Sequence, residues 1–346
     1  MPNDVRPGTA SPAQQVARLM DGYLITQILY VAVKLGIAEV LADGPADAET
    51  LAGAVQAQPA TLRRILRGLA AEGLLEEHAD GRFSLTALGT CLRGDVPGSQ
   101  RGAIIARGDV YYGATAGLLA AVRQGGTAFE HVRGTSFFEY LGQHPELGAA
   151  FQGSMVDRAR HEAADVVAAY DFGSFDVLVD VGGGPGILLE AILNAAPGLR
   201  GVLMDRPPVA EGARSRLTAA GLAERCTFVP GDFFATVPAG GNAYLLSRVI
   251  HDWDDDDARR ILAVCRAAMD DRATLLLVEA ILPELARDQP AAIRMDLHML
   301  ALLGGSERTA SEFERLLATA GFELVRVVPT TSSAGIGVVE AKPMSR

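Results

Sequence analysis

The run Leu178-Val179-Asp180-Val181-Gly182-Gly183-Gly184-Pro185-Gly186 constrains this chain more than any other stretch. Apolar and β-branched residues around one Asp make a short buried strand, and the glycines after them force a tight turn. From Ile187 to Ala195 the apolar residues continue at helical spacing. A strand, a Gly-rich turn and a helix aim backbone N–H groups and the positive end of a helix dipole at one spot. Such a spot suits a ligand carrying phosphate, carboxylate or ribose. Asp205 follows twenty-three residues after Gly182 and closes a second strand, Gly201 to Met204, where a carboxylate accepts from ribose hydroxyls.

The glycine spacing then selects among nucleotides. A dinucleotide site uses G-x-G-x-x-G, whose third Gly lets helix and strand pack closely. Read from Gly182, the next glycine, Gly184, fits, but Ile187 stands where the third should be and Gly186 comes one residue early. The pattern G-x-G-x-G favours S-adenosylmethionine over NAD, because a nucleoside without a pyrophosphate does not need so close an approach.

With 346 residues, 49% of them hydrophobic, the chain is long enough for two domains with their own cores. A net charge of −11 argues against non-specific nucleic-acid binding. The cysteines Cys91, Cys226 and Cys265 are far apart and odd in number, which predicts a reducing, cytoplasmic setting without disulfides or structural zinc. No basic-then-apolar leader opens the sequence, and the apolar stretch Gly22 to Val33 is too short to span a bilayer.

Along the chain, residues 1–12 read as a disordered tail. Apolar residues then recur at helical spacing from Pro12 to Leu41, with Gly36 as a break, and their face is apolar enough to require a partner surface. Asp47 to Val55 and Ala60 to Ala71 read as helices around a Gln58-Pro59 turn. Leu74-Leu75 and Arg82 to Leu85 flank an Ala79-Asp80-Gly81 turn. Helix, turn, helix and hairpin make a winged helix, with Arg63, Arg64 and Arg67 on the would-be recognition helix. Residues 1–100 nevertheless hold eight Lys/Arg against eleven Asp/Glu, so a dimer interface or substrate lid is favoured over DNA binding. Residues 99–170 read as a helical linker and pocket region. Their aromatics (Tyr111, Tyr112, Phe129, Phe137, Phe138, Tyr140, Phe151) fit either a helical core or a pocket for a flat substrate.

After Asp171, strands alternate with helices, which predicts a mostly parallel sheet with ligands at the strands' carboxyl ends. The predicted strands are 177–181, 201–204, 226–230, 243–249, 274–280, 323–328 and 336–340. The last two lack an intervening helix and should form an antiparallel hairpin. Ser311 and Glu314 have capping-box spacing for the last helix.

Several residues on that sheet edge carry chemistry. Gly231-Asp232-Phe233-Phe234 ends the third strand, where Asp232 can accept from an adenine amino group while Phe233 covers the ring; the plain alternative is a Gly-Asp turn. The fourth strand runs into Ser247-Arg248-Val249-Ile250-His251-Asp252-Trp253, and His251 is a candidate general base near neutral pH. Asp254 to Asp257 read as an N-cap and first turn rather than a metal site. Glu279 and Glu307, from separate segments, either flank the His251 imidazole and favour its protonated form or each pair with an arginine such as Arg308.

On these motifs, together with Glu279-Ala280-Ile281-Leu282-Pro283 and Gly304-Gly305-Ser306-Glu307-Arg308-Thr309, the chain resembles a family from about residue 13 to 342. The family is that of the S-adenosylmethionine-dependent O-methyltransferases of the plant caffeate/flavonoid type and their bacterial natural-product relatives. The resemblance implies an α/β fold, with a class I methyltransferase Rossmann-like sheet, mostly parallel, ending in an antiparallel hairpin. A winged-helix dimerisation domain (13–98) and the linker (99–170) precede the cofactor-binding domain (171–346). It implies a homodimer that methylates a phenolic or quinonoid hydroxyl of an aromatic small molecule, with S-adenosylhomocysteine as product and without metal, nucleic acid or membrane. Gly182, Gly184, Asp205, Asp232 and Phe233 match cofactor positions, His251 the base, and Glu279 and Glu307 the acids that hold it. Met155, Asp296 and Met299 fall in segments that line the acceptor pocket. One departure stands out: the plant enzymes carry Lys four residues before the base, whereas here Ser247 occupies that position with Arg248 beside it, so cofactor contact would be remade through Arg248 or backbone. Two other functions share these features: the same fold and cofactor used for decarboxylation or hydroxylation, and a winged-helix regulator that senses a ligand.

Overall fold

The computed structural model describes residues 11–345 other than Ser333, with the side chains of residues 146, 149–155, 157 and 158 outside the description. By contacts it falls into two compact units, 1–113 with 144–154, and 114–143 with 155–346. The stretch read from sequence as a single linker, residues 99–170, is divided between the two units. Of the expected tail, residues 1–10 lie outside the described residues, while Ser11 already caps the first helix in a capping box with Gln14.

In the first unit, helices Pro12–Met20, Gly22–Leu35 and Ile37–Leu41 precede β1 (Ala46–Asp47), helices Ala48–Val55 and Pro59–Ala71, β2 (Leu75–Glu77) and β3 (Arg82–Leu85). Gly36 takes the left-handed conformation that ends one helix and starts the next, as its position predicts. A second break at Asp21 was not legible in the apolar periodicity. Leu62, Leu66 and Leu69, at i, i+4 and i+7, bury one face of Pro59–Ala71 against Leu51 and Phe83. The small antiparallel sheet has the order β1-β3-β2, so the winged hairpin gains a third, two-residue strand. On the would-be recognition helix Arg63, Arg64 and Arg67 are exposed, and Arg67 pairs with Glu77 at 3.2 Å. Helix Pro12–Met20 buries none of its residues, and Val16, Leu19, Met20, Tyr23 and Leu24 stand exposed. Among the described residues no single helix is long and apolar enough to cross a membrane.

In the second unit, β4 (Val177–Val181), β5 (Arg200–Asp205), β6 (Cys226–Pro230), β7 (Ala243–Ser247) and β8 (Thr274–Leu282) run parallel. Two-residue β9 (Arg308–Thr309) pairs with the end of β8. The terminal hairpin, β10 (Phe322–Pro329) and β11 (Ile336–Pro343), completes the order β10-β11-β8-β7-β4-β5-β6, and β11 is antiparallel to both neighbours. The sheet is covered on both faces, so its strands read as apolar runs while successive residues serve different cores. Val179, Val181, Leu275 and Leu277 join one core with Ile261, Leu262, Phe313 and Leu317. Leu178, Leu276 and Val278 join the other with Leu189, Ile192 and Leu193. Strand order reverses at β4, which pairs with β5 on one side and β7 on the other. The crevice beyond its carboxyl end is where such sheets bind ligands.

Two local expectations need correction. The capping box of the last helix, Ala310–Thr319, is Thr309 with Glu312, not Ser311 with Glu314. The helix starts two residues earlier than that reading implies because β9 hands directly into it. The fourth strand ends at Ser247 rather than Val249 because Arg248 adopts a left-handed conformation (φ 56°), which a pleated ladder cannot continue. Of the aromatics left open between core and pocket, Phe129 and Phe137 are buried edge to face at 5.5 Å, and Phe129 also meets Tyr140 at 5.3 Å.

Candidate active site

Gly182, Gly184 and Gly186 all have left-handed backbones (φ 71°, 55° and 75°), which only Gly adopts without strain, so β4 turns directly into helix Ile187–Ala195. That helix begins without a side-chain cap, which leaves its first N–H groups and positive dipole end directed outward. Gly182 N–H donates to the Met204 carbonyl at 2.8 Å, and Gly184 N–H donates to Asp205 Oδ2 at 2.8 Å. The turn and the acidic end of β5 are thereby locked together. A Cβ on Gly184 would meet no atom within 4 Å, so the turn opens onto free space there, while the Phe233 ring lies 3.4 Å from where a Gly182 Cβ would be. An open Gly turn, a carboxylate and a ring on adjacent strand ends fit a nucleoside with a ribose and a flat base. Asp232 also makes the ordinary turn weighed for it: its Oδ1 accepts from Phe234 N–H at 2.9 Å, and its side chain is exposed. The two rings beyond it pack edge to face on Trp253, Phe234 at 4.8 Å and Phe233 at 6.2 Å.

Beneath the turn lies Asp180, 1% exposed, whose Oδ1 has no hydrogen-bond partner. Burial, with Asp205 adding like charge, pushes its carboxyl up to about 7. A Cβ on Gly183 would come within 2.4 Å of Asp180 Oδ2, so Gly183 is required by contact rather than by φ.

His251 lies in the one-turn helix Ile250–Asp252, just beyond β7, and is 5% exposed. Its Nδ1 is 2.9 Å from Glu307 Oε1 and its Nε2 is 3.3 Å from Asp252 Oδ1. Glu307 reaches it because the Gly304-Gly305 loop crosses the His251 backbone in near contact; a Cβ on Gly305 would lie 2.0 Å from the His251 carbonyl oxygen. Arg308, 3% exposed, ties the same two segments together. It donates to the carbonyls of Ile250, Trp253 and Ser306 and pairs with Asp255 at 2.8 Å.

Glu279 lies within 4.8 Å of the imidazole, and its hydrogen bonds run to backbone. Its Oε1 accepts from the Val249 and Ile250 N–H groups at 3.1 and 2.9 Å, so it holds the backbone that carries His251. Burial keeps its carboxyl above the usual range, with His251 and Arg248 acting against that shift. The arginine shared by the two glutamates is Arg248, not Arg308. Its Nη2 is 3.3 Å from Glu307 Oε1 and its Nη1 is 3.8 Å from Glu279 Oε2. Arg248 thus forms ion pairs with both glutamates. Burial works against its charge, but Glu307, Glu162, Glu279 and Asp252 outweigh that and hold it above the ordinary arginine value. Oxygen and nitrogen atoms of His251, Glu279 and Glu307 lie within 4.8 Å of one another, and Arg248 supplies positive charge to that cluster.

Of the expected pocket residues, Asp296 accepts from Glu307 N–H at 3.0 Å and so braces the loop. Met299 is buried, and the side chain of Met155 lies outside the described residues. Ser247 is half-buried at the end of β7. Sequence reasoning missed the linking roles of Arg248, Asp252 and Asp296; the one local signal was Arg248 at a strand end beside a candidate base.

Residues 116–323 match the O-methyltransferase domain family, and residues 17–95 match the O-methyltransferase dimerisation domain. Phenazine O-methyltransferase PhzM of Lysobacter antibioticus is 44% identical over 99% of this chain and 100% of its own. The mitomycin biosynthesis 6-O-methyltransferase of Streptomyces lavendulae is 41% identical over 93% of each chain. Among solved structures, the O-methyltransferase NcsB1 from neocarzinostatin biosynthesis, in complex with S-adenosylmethionine and 2-hydroxy-5-methyl naphthoic acid, superposes with a TM-score of 0.81. It is 34% identical, over 92% of this chain and 96% of that one. The chain belongs to the O-methyltransferase family and uses S-adenosylmethionine as cofactor, with the family's dimerisation domain on its N-terminal side.

Proposed function

We propose that this enzyme methylates a phenolic or quinonoid hydroxyl on an aromatic small molecule of bacterial secondary metabolism, with His251 as general base. The observation that carries the reading is the buried His251–Glu307 pair at 2.9 Å, at the sheet edge that also bears the open glycine turn. Gly182, Gly184, Asp205, Asp232 and Phe233 would hold the cofactor. When bound, S-adenosylmethionine supplies an electrophilic methyl group on sulfur. With Nδ1–H donating to Glu307, the neutral imidazole presents its lone pair on Nε2. Nε2 takes the acceptor's hydroxyl proton, and the resulting imidazolium has Glu307 on one side and Asp252 on the other. Glu279 and Asp296 keep the two backbone segments in register, and reactivity depends on that positioning.

The relatives support the substrate class: their names specify a phenazine and the mitomycin pathway, and the neighbouring structure holds a naphthoic acid. Homodimerisation through the N-terminal domain is supported by the family match over 17–95 and by the exposed apolar residues Val16, Leu19, Met20, Tyr23 and Leu24. The test begins with calorimetric titration of S-adenosylhomocysteine beside NADH. A mass-spectrometric screen of phenazine, quinone and naphthoate acceptors follows. Binding of the first ligand alone, and a product heavier by one methylene, are expected. Product loss of carbon dioxide or gain of oxygen would replace methylation with the alternative chemistry. His251→Ala should lower turnover by about two to four orders of magnitude while cofactor affinity holds.

A further inference from the structure

Arg248 occupies an unusual position. Only two described residues other than glycine have positive φ, and one of them is Arg248, at the exit of β7. Its N–H donates to the Val278 carbonyl at 3.0 Å, which fixes that conformation. The left-handed backbone directs the guanidinium between two carboxylates whose side chains are 0% exposed, while its own side chain is 13% exposed. Glu307 Oε1 is shared, 2.9 Å from His251 Nδ1 and 3.3 Å from Arg248 Nη2. Backbone strain of this kind persists where the surroundings over-determine it.

We propose that Arg248 is a positioning residue whose charge offsets one of the two buried glutamates, so that His251 faces one fewer uncompensated carboxylate and remains able to accept a proton. This rests on the reading of His251 as the base. With a neutral imidazole, the group of Glu279, Glu307 and Arg248 carries a net charge of −1; without the guanidinium it carries −2. Two carboxylates beside an imidazole favour its protonated form, and an imidazolium cannot act as a base. The guanidinium stays charged across the working pH range, so the offset does not itself titrate.

The other charged groups around His251 do not take over that role. Asp252 lies against Nε2 and adds negative charge. Glu162, on helix Pro145–Ala169, acts on Arg248 and reinforces its charge. Asp296, on helix Pro290–Leu302, is engaged with the Glu307 N–H. Arg308 is spent on Asp255 and on the carbonyls of Ile250, Trp253 and Ser306. Of the described groups whose contacts with this cluster are given, Arg248 alone places a cationic side chain on both glutamates.

The test compares Arg248→Met, which removes the charge, with Arg248→Lys, which keeps it; both bear the same backbone cost. The chain has six histidines, so the His251 signal in a 15N-histidine-labelled sample is assigned by its loss in His251→Ala. In Arg248→Met the NMR titration midpoint of that signal should rise by about one pH unit or more. The acid limb of kcat/KM should rise with it, and turnover should recover at alkaline pH. Arg248→Lys should leave both near the wild-type position. Turnover lowered equally at every pH, with an unmoved midpoint, overturns the proposal and leaves Arg248 a structural contact. Should Arg248→Met fail to fold, Glu279→Gln must move the midpoint downward with Arg248 in place, and an unmoved midpoint again overturns it. Wild-type turnover in His251→Ala removes the base reading alone, because the midpoint reports the charge relation without any turnover.

Discussion

One added methyl group on Gly305 tests how the base is held. In Gly305→Ala the new Cβ would lie 2.0 Å from the His251 carbonyl oxygen and 2.6 Å from the Asp252 carbonyl carbon. A carbon and a carbonyl oxygen approach to about 3.3 Å, so one segment must retreat by about 1.3 Å. Both obstacles are backbone, and neither can rotate away. The His251 side is fixed by Glu279 on the Val249 and Ile250 N–H groups and by Arg308 on the Ile250 carbonyl, so the 304–307 loop is the segment that yields. Glu307 is two residues further on, and its 2.9 Å bond to Nδ1 would open to about 4 Å, beyond hydrogen-bonding reach. A lost charge-assisted bond in a buried site costs about 1.5–3 kcal/mol. Misplacement of a catalytic group by about 1 Å costs about 100-fold in turnover. The assay is S-adenosylhomocysteine release with whichever acceptor the wild-type enzyme methylates, run beside calorimetry of that product. We expect kcat about 100-fold lower and cofactor affinity within about threefold of wild type, since the glycine turn at 182–186 is untouched. A kcat within about threefold of wild type would falsify the claim that loop contact sets the His251–Glu307 geometry.

Glu307→Gln keeps an acceptor on Nδ1 but removes the charge that stabilises the imidazolium; kcat should fall about 10- to 100-fold with unchanged calorimetric affinity for S-adenosylhomocysteine. Asp180, raised to about 7 by burial, keeps a proton in the folded state that the unfolded chain has already released. Stability should therefore decline as pH rises from about 4 to 7, by up to roughly 4 kcal/mol, and Asp180→Asn should flatten that slope in denaturant unfolding measured across this range. Thr309→Ala should cost about 1 kcal/mol through loss of the helix cap, whereas Ser311→Ala should cost less, and thermal melts of the two variants separate them. Turnover should survive EDTA, because every step assigned to the site uses His251, its carboxylates and Arg248; complete loss, restored by a divalent cation, would refute that assignment.

The parts of the site legible in the sequence are those written by short-range rules. Gly182, Gly184 and Gly186 declare a left-handed turn after an apolar run, and Asp205 and His251 declare themselves by lying just past the ends of predicted strands. The terminal antiparallel hairpin followed from the missing helix between its strands. The two-residue strands β1 and β9 were not legible, because two residues carry no periodicity. Thr309 with Glu312 and Ser311 with Glu314 offer the same capping-box spacing within six residues, and only the helix start chooses between them.

Sequence alone thus determined the alternation of strands and helices, the glycine turn, and the residue types available at the sheet edge. Tertiary structure decided which of them meet. Pairing of Ser247 with Val278 in the β7–β8 register makes the residues that follow them, Arg248 and Glu279, neighbours across thirty-one positions of sequence. Glu307 reaches His251 across fifty-six positions only because Gly305 lets one backbone lie against another. A carboxylate in a sequence is equally suited to an imidazole, a backbone N–H or an arginine. In the fold, Glu307 holds the imidazole, Glu279 holds the backbone, and Arg248 forms ion pairs with both, because contacts of 2.9–3.8 Å are set by register and close approach rather than by residue type.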